Sequence, residues 1–115
     1  MKVEHITINT ADLDGSIAFY SDVIGLHVKT DMREFGKPIV FLSFGDDDTC
    51  IELIGDATNK YSGMGISIGF HVGDVDEAHR MCKQKGLKPT AMIKPAPNTK
   101  FFFIKDPNGV NVQII

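Results

Sequence analysis

Polar and hydrophobic residues alternate in a segment near the N-terminus, and a similar segment recurs in the second half of the chain. Residues 5–14 read HITINTADLD, and residues 67–76, which lie 62 positions later, read SIGFHVGDVD. The alternation predicts a strand in each copy, with one packed face and one polar face. In the first copy the polar face carries His5, Thr7 and Asn9.

Apolar residues at helical spacing follow each of these strands. They are Leu13, Ile17, Tyr20, Val23 and Ile24 in the first half, and Val75, Ala78 and Cys82 in the second. Asp12 and Asp74 stand where a helix N-cap is expected, and Gly25 and Gly86 end the two patterns. Each half is therefore predicted to contain one helix directly after its first strand.

Three short strand-like runs follow each predicted helix. They cover residues 26–33, 38–44 and 49–54 in the first half, and 88–93, 100–105 and 110–115 in the second. The segment FLSFGDDDTCIELI at 41–54 matches FFIKDPNGVNVQII at 102–115, 61 positions later, so one deletion accounts for the change in spacing. Each half is predicted to be a βαβββ module, which gives an α+β fold.

The length bounds the domain organisation. A chain of 115 residues is one domain by the usual ~100 to 200 residues per domain. We expect module one at about 1–55, a polar connector at about 56–65 (DATNKYSGMG), and module two at about 66–115.

Composition and charge exclude several classes of protein. The chain is 43% hydrophobic and 23% charged, which is typical of globular proteins. Its net charge of −3 argues against a nucleic-acid partner. No apolar run approaches the ~20 residues that span a bilayer, so we expect a cytoplasmic protein without a membrane partner. Cys50 and Cys82 form no metal or redox motif and are predicted to be buried and reduced.

Three motifs in this duplicated chain resemble one protein superfamily. They are DLDGSIAFY at 12–20, IGL at 24–26 and DPNG at 106–109. Together they resemble the vicinal oxygen chelate superfamily, which includes glyoxalase I (lactoylglutathione lyase), bleomycin resistance proteins and extradiol dioxygenases. The resemblance covers residues 3–115 and implies a curved, eight-stranded mixed sheet around a concave pocket. It also implies a homodimer, since small members of this length usually form one.

The resemblance also implies where a divalent metal, zinc or nickel, would bind. Ligands in the metal-dependent relatives come from the first and last strands of each module, which points to His5 and Glu52 in module one. The corresponding positions in module two are Ser67 and Gln113. A hydroxyl and an amide are weaker donors than an imidazole and a carboxylate, so a tightly held metal is not expected. In glyoxalase I the last-strand carboxylate of module two also moves the substrate proton, so the resemblance, with an amide at Gln113 that cannot act as a general base, implies a poor lactoylglutathione lyase.

Several assignments remain open at this level. His5 and Glu52 could instead form a hydrogen-bonded or ionic pair that joins two strands. Glu52 is the candidate catalytic carboxylate if any reaction occurs. The other residues predicted to line the pocket or its mouth are His71, Asn111, Phe101 and Phe103.

Two hypotheses for function follow. In the first, the protein binds a small organic molecule and acts as a divergent lyase or isomerase, with a weakly held ion on His5 and Glu52. In the second, it is a metal-free, non-catalytic protein of the bleomycin resistance type that sequesters its ligand.

Overall fold

Each half of the chain folds as a strand, a helix and three further strands. The computed structural model describes all 115 residues, which divide into two compact units, Met1–Ser62 and Gly63–Ile115. We refer to these units as module one and module two. The predicted α+β fold with two tandem βαβββ modules is confirmed.

Module one contains four strands and a short helical region. Its strands are β1 (His5–Thr10), β2 (His27–Asp31), β3 (Ile39–Ser43) and β4 (Cys50–Gly55). Helix α1 (Leu13–Ala18) continues into a π-helical turn (Phe19–Val23), and a 3₁₀ turn (Met32–Phe35) follows β2.

Module two repeats this order with a longer helix. Its elements are β5 (Ser67–Phe70), α2 (Val75–Gln84), β6 (Ile93–Ala96), β7 (Thr99–Lys105) and β8 (Asn111–Ile114).

The eight strands form two four-stranded mixed sheets, one in each module. The strand orders are β1-β4-β3-β2 and β5-β8-β7-β6. In both sheets the first strand of the module runs parallel to the last, and the remaining neighbours are antiparallel. The first and last strands of each module therefore lie side by side, and residues far apart in sequence share one face.

Aspartate side chains start both helices, as the sequence predicts. Asp12 accepts a hydrogen bond from the Gly15 amide at 2.9 Å, and Asp74 accepts one from the Glu77 amide at 3.0 Å. The first helical pattern does not form one regular helix to Ile24, however. The Ile24 amide donates to the Phe19 carbonyl five residues earlier, which widens the turn into a π-helix.

The second strand of module two differs from its prediction. The run at 88–93 was expected to be a strand, but β6 begins only at Ile93. Lys88 has a φ of 53°, which extended strands do not adopt. The Thr90 amide donates to the Phe103 carbonyl, and the Phe103 amide donates to Thr90 Oγ1. Thr90 therefore bonds to β7 as a paired strand residue would, although it lies outside any strand.

The core of each module lies between its sheet and its helix. The fully buried residues include Tyr20, Val40, Leu42 and Leu53 in module one, and Phe102, Ile104 and Val112 in module two. Both cysteines are buried and free, as predicted, and burial raises the pKa of the Cys82 thiol.

The strand pairing puts the one-residue deletion of module two at a different position from the one that the sequence match suggests. The sequence match aligns Phe41 with Phe102, but Phe41 pairs with Glu52 and Phe103 pairs with Gln113, so Phe41 corresponds to Phe103. The missing residue lies in the last hairpin turn, not before β7. A shift of one residue inside a strand would have turned every side chain to the opposite face.

None of the helices combines the length and the apolar character that a membrane crossing requires.

Candidate functional site

One face of the module-one sheet carries His5, Thr7 and Glu52. Ile8 and Thr10, on the alternate positions of β1, are buried, and Thr10 Oγ1 lies 3.0 Å from the Ser16 hydroxyl of α1. His5 and Thr7 therefore point away from the helix. Thr7 pairs directly with Glu52 on β4. We call this surface the module-one face.

Glu52 makes two contacts with β1. Thr7 Oγ1 donates to Glu52 Oε1 at 2.5 Å, and His5 Nε2 lies 3.5 Å from the same oxygen. The Glu52 side chain is 13% exposed and that of His5 is 42% exposed. The carboxylate is thus held in one orientation while the imidazole remains open to a ligand. This geometry suits both an interstrand ion pair and a ligand-binding pair.

A small cavity of about 180 Å³ lies beside His5. Its lining includes Lys29, Phe41 and Cys50, and the His5 and Phe41 rings meet edge to face at 5.8 Å. Lys29 occupies an irregularity in the pairing of β2, between Val28 and Thr30. A bulge of this kind redirects a side chain, and here the Lys29 side chain lines the same cavity as His5 while its Nζ donates to the Asp46 carbonyl at 2.7 Å.

Ser67 and Gln113 occupy the same relative positions in module two. Ser67 pairs with Asn111 and Gly69 pairs with Gln113, just as His5 pairs with Cys50 and Thr7 with Glu52. Gly69 thus stands where module one has Thr7. A Cβ atom at position 69 would lie 3.0 Å from Gln113 Oε1, so the glycine leaves room for the Gln113 side chain. We call this surface the module-two face.

Two phenylalanines and a lysine complete the module-two face. Phe101 and Phe103 lie edge to face, with ring centroids 5.7 Å apart, while Phe102 is fully buried on the opposite side of β7. Lys105 pairs with Asn111, and its Nζ donates to Asn111 Oδ1 at 2.7 Å. Sequence reasoning missed Lys105, although the alternation that groups Phe101 with Phe103 extends to it.

His71 lies just beyond the end of β5 and lines a separate cavity of about 450 Å³. Asp76 and Lys100 also line this cavity, and Lys100 Nζ donates to Asp76 Oδ2 at 2.5 Å. The hydrogen bond from Lys100 is the main cause that lowers the pKa of Asp76. Within module two, this cavity adjoins the start of α2 and the hairpin between β6 and β7.

The donor set does not fit a tightly held zinc or nickel ion. Module one offers one imidazole and one carboxylate, and Glu52 Oε1 already accepts the Thr7 hydroxyl. The corresponding residues of module two are neutral. No three His, Cys, Asp or Glu side chains are grouped closely enough to share an ion. Structural and catalytic zinc sites use at least three strong protein ligands.

Comparisons with known proteins agree on one family. The sequence profile described as "Glyoxalase/Bleomycin resistance protein/Dioxygenase superfamily" matches residues 2–114. A probable lactoylglutathione lyase of Vibrio parahaemolyticus is 27% identical over 123 residues, which covers 99% of this chain and 89% of the relative.

Solved structures share the fold at lower identity. A trypanothione-dependent glyoxalase I of Leishmania major gives a TM-score of 0.79 at 24% identity, covering 100% of this chain and 86% of that one. TnmS3, an antibiotic-binding protein of a Streptomyces species, gives a TM-score of 0.77 at 17% identity, covering 99% and 93%.

Proposed function

Because this chain belongs to the Glyoxalase/Bleomycin resistance protein/Dioxygenase superfamily, we propose that it binds a small organic molecule on the polar face of one of its sheets and is a poor lactoylglutathione lyase. The fold alone does not decide between catalysis and binding, since one structural relative is named a glyoxalase and another an antibiotic-binding protein.

One observation carries the proposal. The pairing of β5 with β8 gives Ser67 and Gln113 the positions that His5 and Glu52 hold in module one. Isomerisation of a hemithioacetal requires a group that removes a proton from one carbon and returns it to the next. The Gln113 amide cannot do this, and general acid–base catalysis typically contributes about 10² to 10⁴-fold.

A second candidate function rests on Glu52. Its carboxylate is oriented by Thr7 and His5, so it could move the substrate proton in place of the absent carboxylate of module two. In that case the chain is a divergent lyase or isomerase whose proton transfer depends on Glu52.

A kinetic assay separates these candidates. The substrate is the hemithioacetal of methylglyoxal and glutathione, assayed with and without added nickel or zinc. We expect marginal turnover by the natural protein. Robust turnover would contradict the proposal, and its loss in Glu52→Gln, but not in the matched amide-to-acid variant Gln113→Glu, would identify Glu52 as the base.

We also propose that the chain forms a homodimer. Strand β2 is an edge strand whose first four residues are exposed, and large apolar side chains are exposed in module one at Val28, Phe35 and Phe44. Unpaired strand edges and exposed apolar side chains favour association, and two-fold dimers are the commonest form it takes.

A further inference from the structure

Three polar residues form a row across the module-two face. Ser67 on β5 and Lys105 on β7 both pair with Asn111 on β8, so the three side chains stand next to one another on adjacent strands. Neighbouring strands are about 4.8 Å apart, and a small group can therefore touch more than one member of the row.

The groups of this row that remain able to form hydrogen bonds are mainly donors. Lys105 Nζ donates to Asn111 Oδ1 at 2.7 Å, which fixes the amide with its oxygen toward the ammonium. The remaining N–H groups of Lys105, the amide N–H groups of Asn111 and the Ser67 hydroxyl are left to donate to a ligand. Ser67 and Lys105 are exposed, and Asn111 is half-buried.

The positive charge of Lys105 is not neutralised by a carboxylate. The lysine and arginine side chains in ion pairs are Lys2, Arg33, Arg80 and Lys100. Asp106 follows Lys105 directly, but it is buried, and its carboxylate accepts from the amides of Asn108 and Val110 within the turn. The ammonium is therefore available to a negatively charged group.

The comparison with module one shows how the two faces differ in charge. Module one carries the carboxylate of Glu52, which attracts cations, whereas module two carries the neutral Gln113 at the matching position. A carboxylate there would repel an anion bound by Lys105. With an amide instead, the module-two face has one cation, several donors and no negative charge.

We infer that Ser67, Asn111 and Lys105 form a binding site for an oxyanion, the carboxylate or phosphate group of the small organic ligand. This inference rests on the proposed binding function and specifies the charge of the ligand. Hydrogen bonds from an ammonium to an anionic oxygen are shorter and roughly twice as strong as neutral ones, so Lys105 contributes the largest share of the affinity.

The test is a two-dimensional NMR titration of the full chain with inorganic phosphate and, separately, with acetate, at constant ionic strength. We expect saturable shifts concentrated at Ser67, Lys105, Asn111 and Gln113 with at least one of the two anions. The anion that binds more tightly identifies the group. Lys105→Met should weaken that binding by about tenfold or more, consistent with the loss of a charge-assisted hydrogen bond.

Lys94→Met is the matched control. Lys94 is exposed on β6 of the same module, forms no ion pair and lines a cavity to which none of Ser67, Asn111 and Lys105 contributes, and the variant changes the net charge equally. Its anion affinity should equal that of the natural protein. Equal weakening by both substitutions, or shifts scattered over the lysines, would overturn the inference. Robust turnover of the hemithioacetal would contradict the proposed function instead. The kinetic assay therefore tests the proposed function, and the NMR titration tests the anion site.

Discussion

At the scale of single residues, the hydroxyl of Thr7 determines how Glu52 is presented. An exposed glutamate samples several rotamers, whereas Glu52 Oε1 receives the Thr7 hydroxyl and lies within 3.5 Å of His5 Nε2. The contacts from β1 thus hold the Glu52 carboxylate in one orientation. Side chains fixed in advance lose less conformational entropy when a ligand binds.

Replacing Thr7 with valine should remove this hydrogen bond while keeping the shape and the β-branched strand preference. We expect the free energy of unfolding to fall by about 0.5 to 1.5 kcal/mol, the net value of an ordinary hydrogen bond. Urea denaturation measures it. Thr30→Val, at an exposed strand threonine, is the control and should leave stability nearly unchanged. The same loss in both variants would mean that the Thr7 bond contributes nothing.

A second residue-scale prediction concerns pH. The hydrogen bond from Arg33 is the largest cause that lowers the pKa of Asp31 below its ordinary 3.8. A lowered folded-state pKa contributes stability that is present above the unfolded pKa and is lost as pH falls through the folded value. Asp31→Asn should therefore destabilise the protein at pH 6 and have a smaller effect near pH 3. Asp47→Asn, at an exposed acid without an ion pair, is the control for the loss of one negative charge, and an Asp31→Asn effect constant across this range would refute the prediction.

At the scale of elements, local patterns located most strands and both helix starts but not every boundary. Alternation identified β1 and β5, and the capping aspartates marked the first residues of the helices. The strand predicted at 88–93 failed because Thr90 reaches β7 through one amide and one hydroxyl, and Lys88 turns the chain into the left-handed region. Tertiary partners of this kind leave no periodic signal.

The candidate site was predictable to the extent that the internal repeat could be aligned. The repeat identified Ser67 and Gln113 as the counterparts of His5 and Glu52, and the register agrees with it. It could not locate the deleted residue, because the run Phe101 to Phe103 matches Phe41 at more than one offset. The alternation along β7 already groups Lys105 with Phe101 and Phe103, but its pairing with Asn111 depends on the length of the last turn, which the repeat leaves undetermined.

Grafting the module-one pair onto β5 and β8 tests this alignment. Ser67→His together with Gln113→Glu should give module two the same imidazole and carboxylate that module one has. We expect the affinity for zinc or nickel, measured by calorimetry, to rise by at least about tenfold, because both new groups are stronger donors. The single variants serve as controls and should gain less. An unchanged affinity in the double variant would show that these positions do not lie together as metal ligands.

At the scale of the whole molecule, the proposed homodimer can be tested by mass. Light scattering coupled to gel filtration should give about twice the chain mass of 12.6 kDa at micromolar concentration. Phe35→Ser and Phe44→Ser, which change exposed apolar residues of module one, should shift the population toward the monomer. A value near 12.6 kDa for the natural protein would rule the dimer out.

Gly69 also couples two positions of the module-two face during evolution. A β-carbon at position 69 would lie 3.0 Å from Gln113 Oε1, so a larger residue there requires the flexible Gln113 side chain to shift by a few tenths of an ångström. After that shift, a threonine hydroxyl at position 69 can donate to the Gln113 amide oxygen, or to a glutamate carboxylate at position 113, as Thr7 donates to Glu52. The effects of substitutions at positions 69 and 113 are therefore expected to be non-additive, whichever of the two changes first.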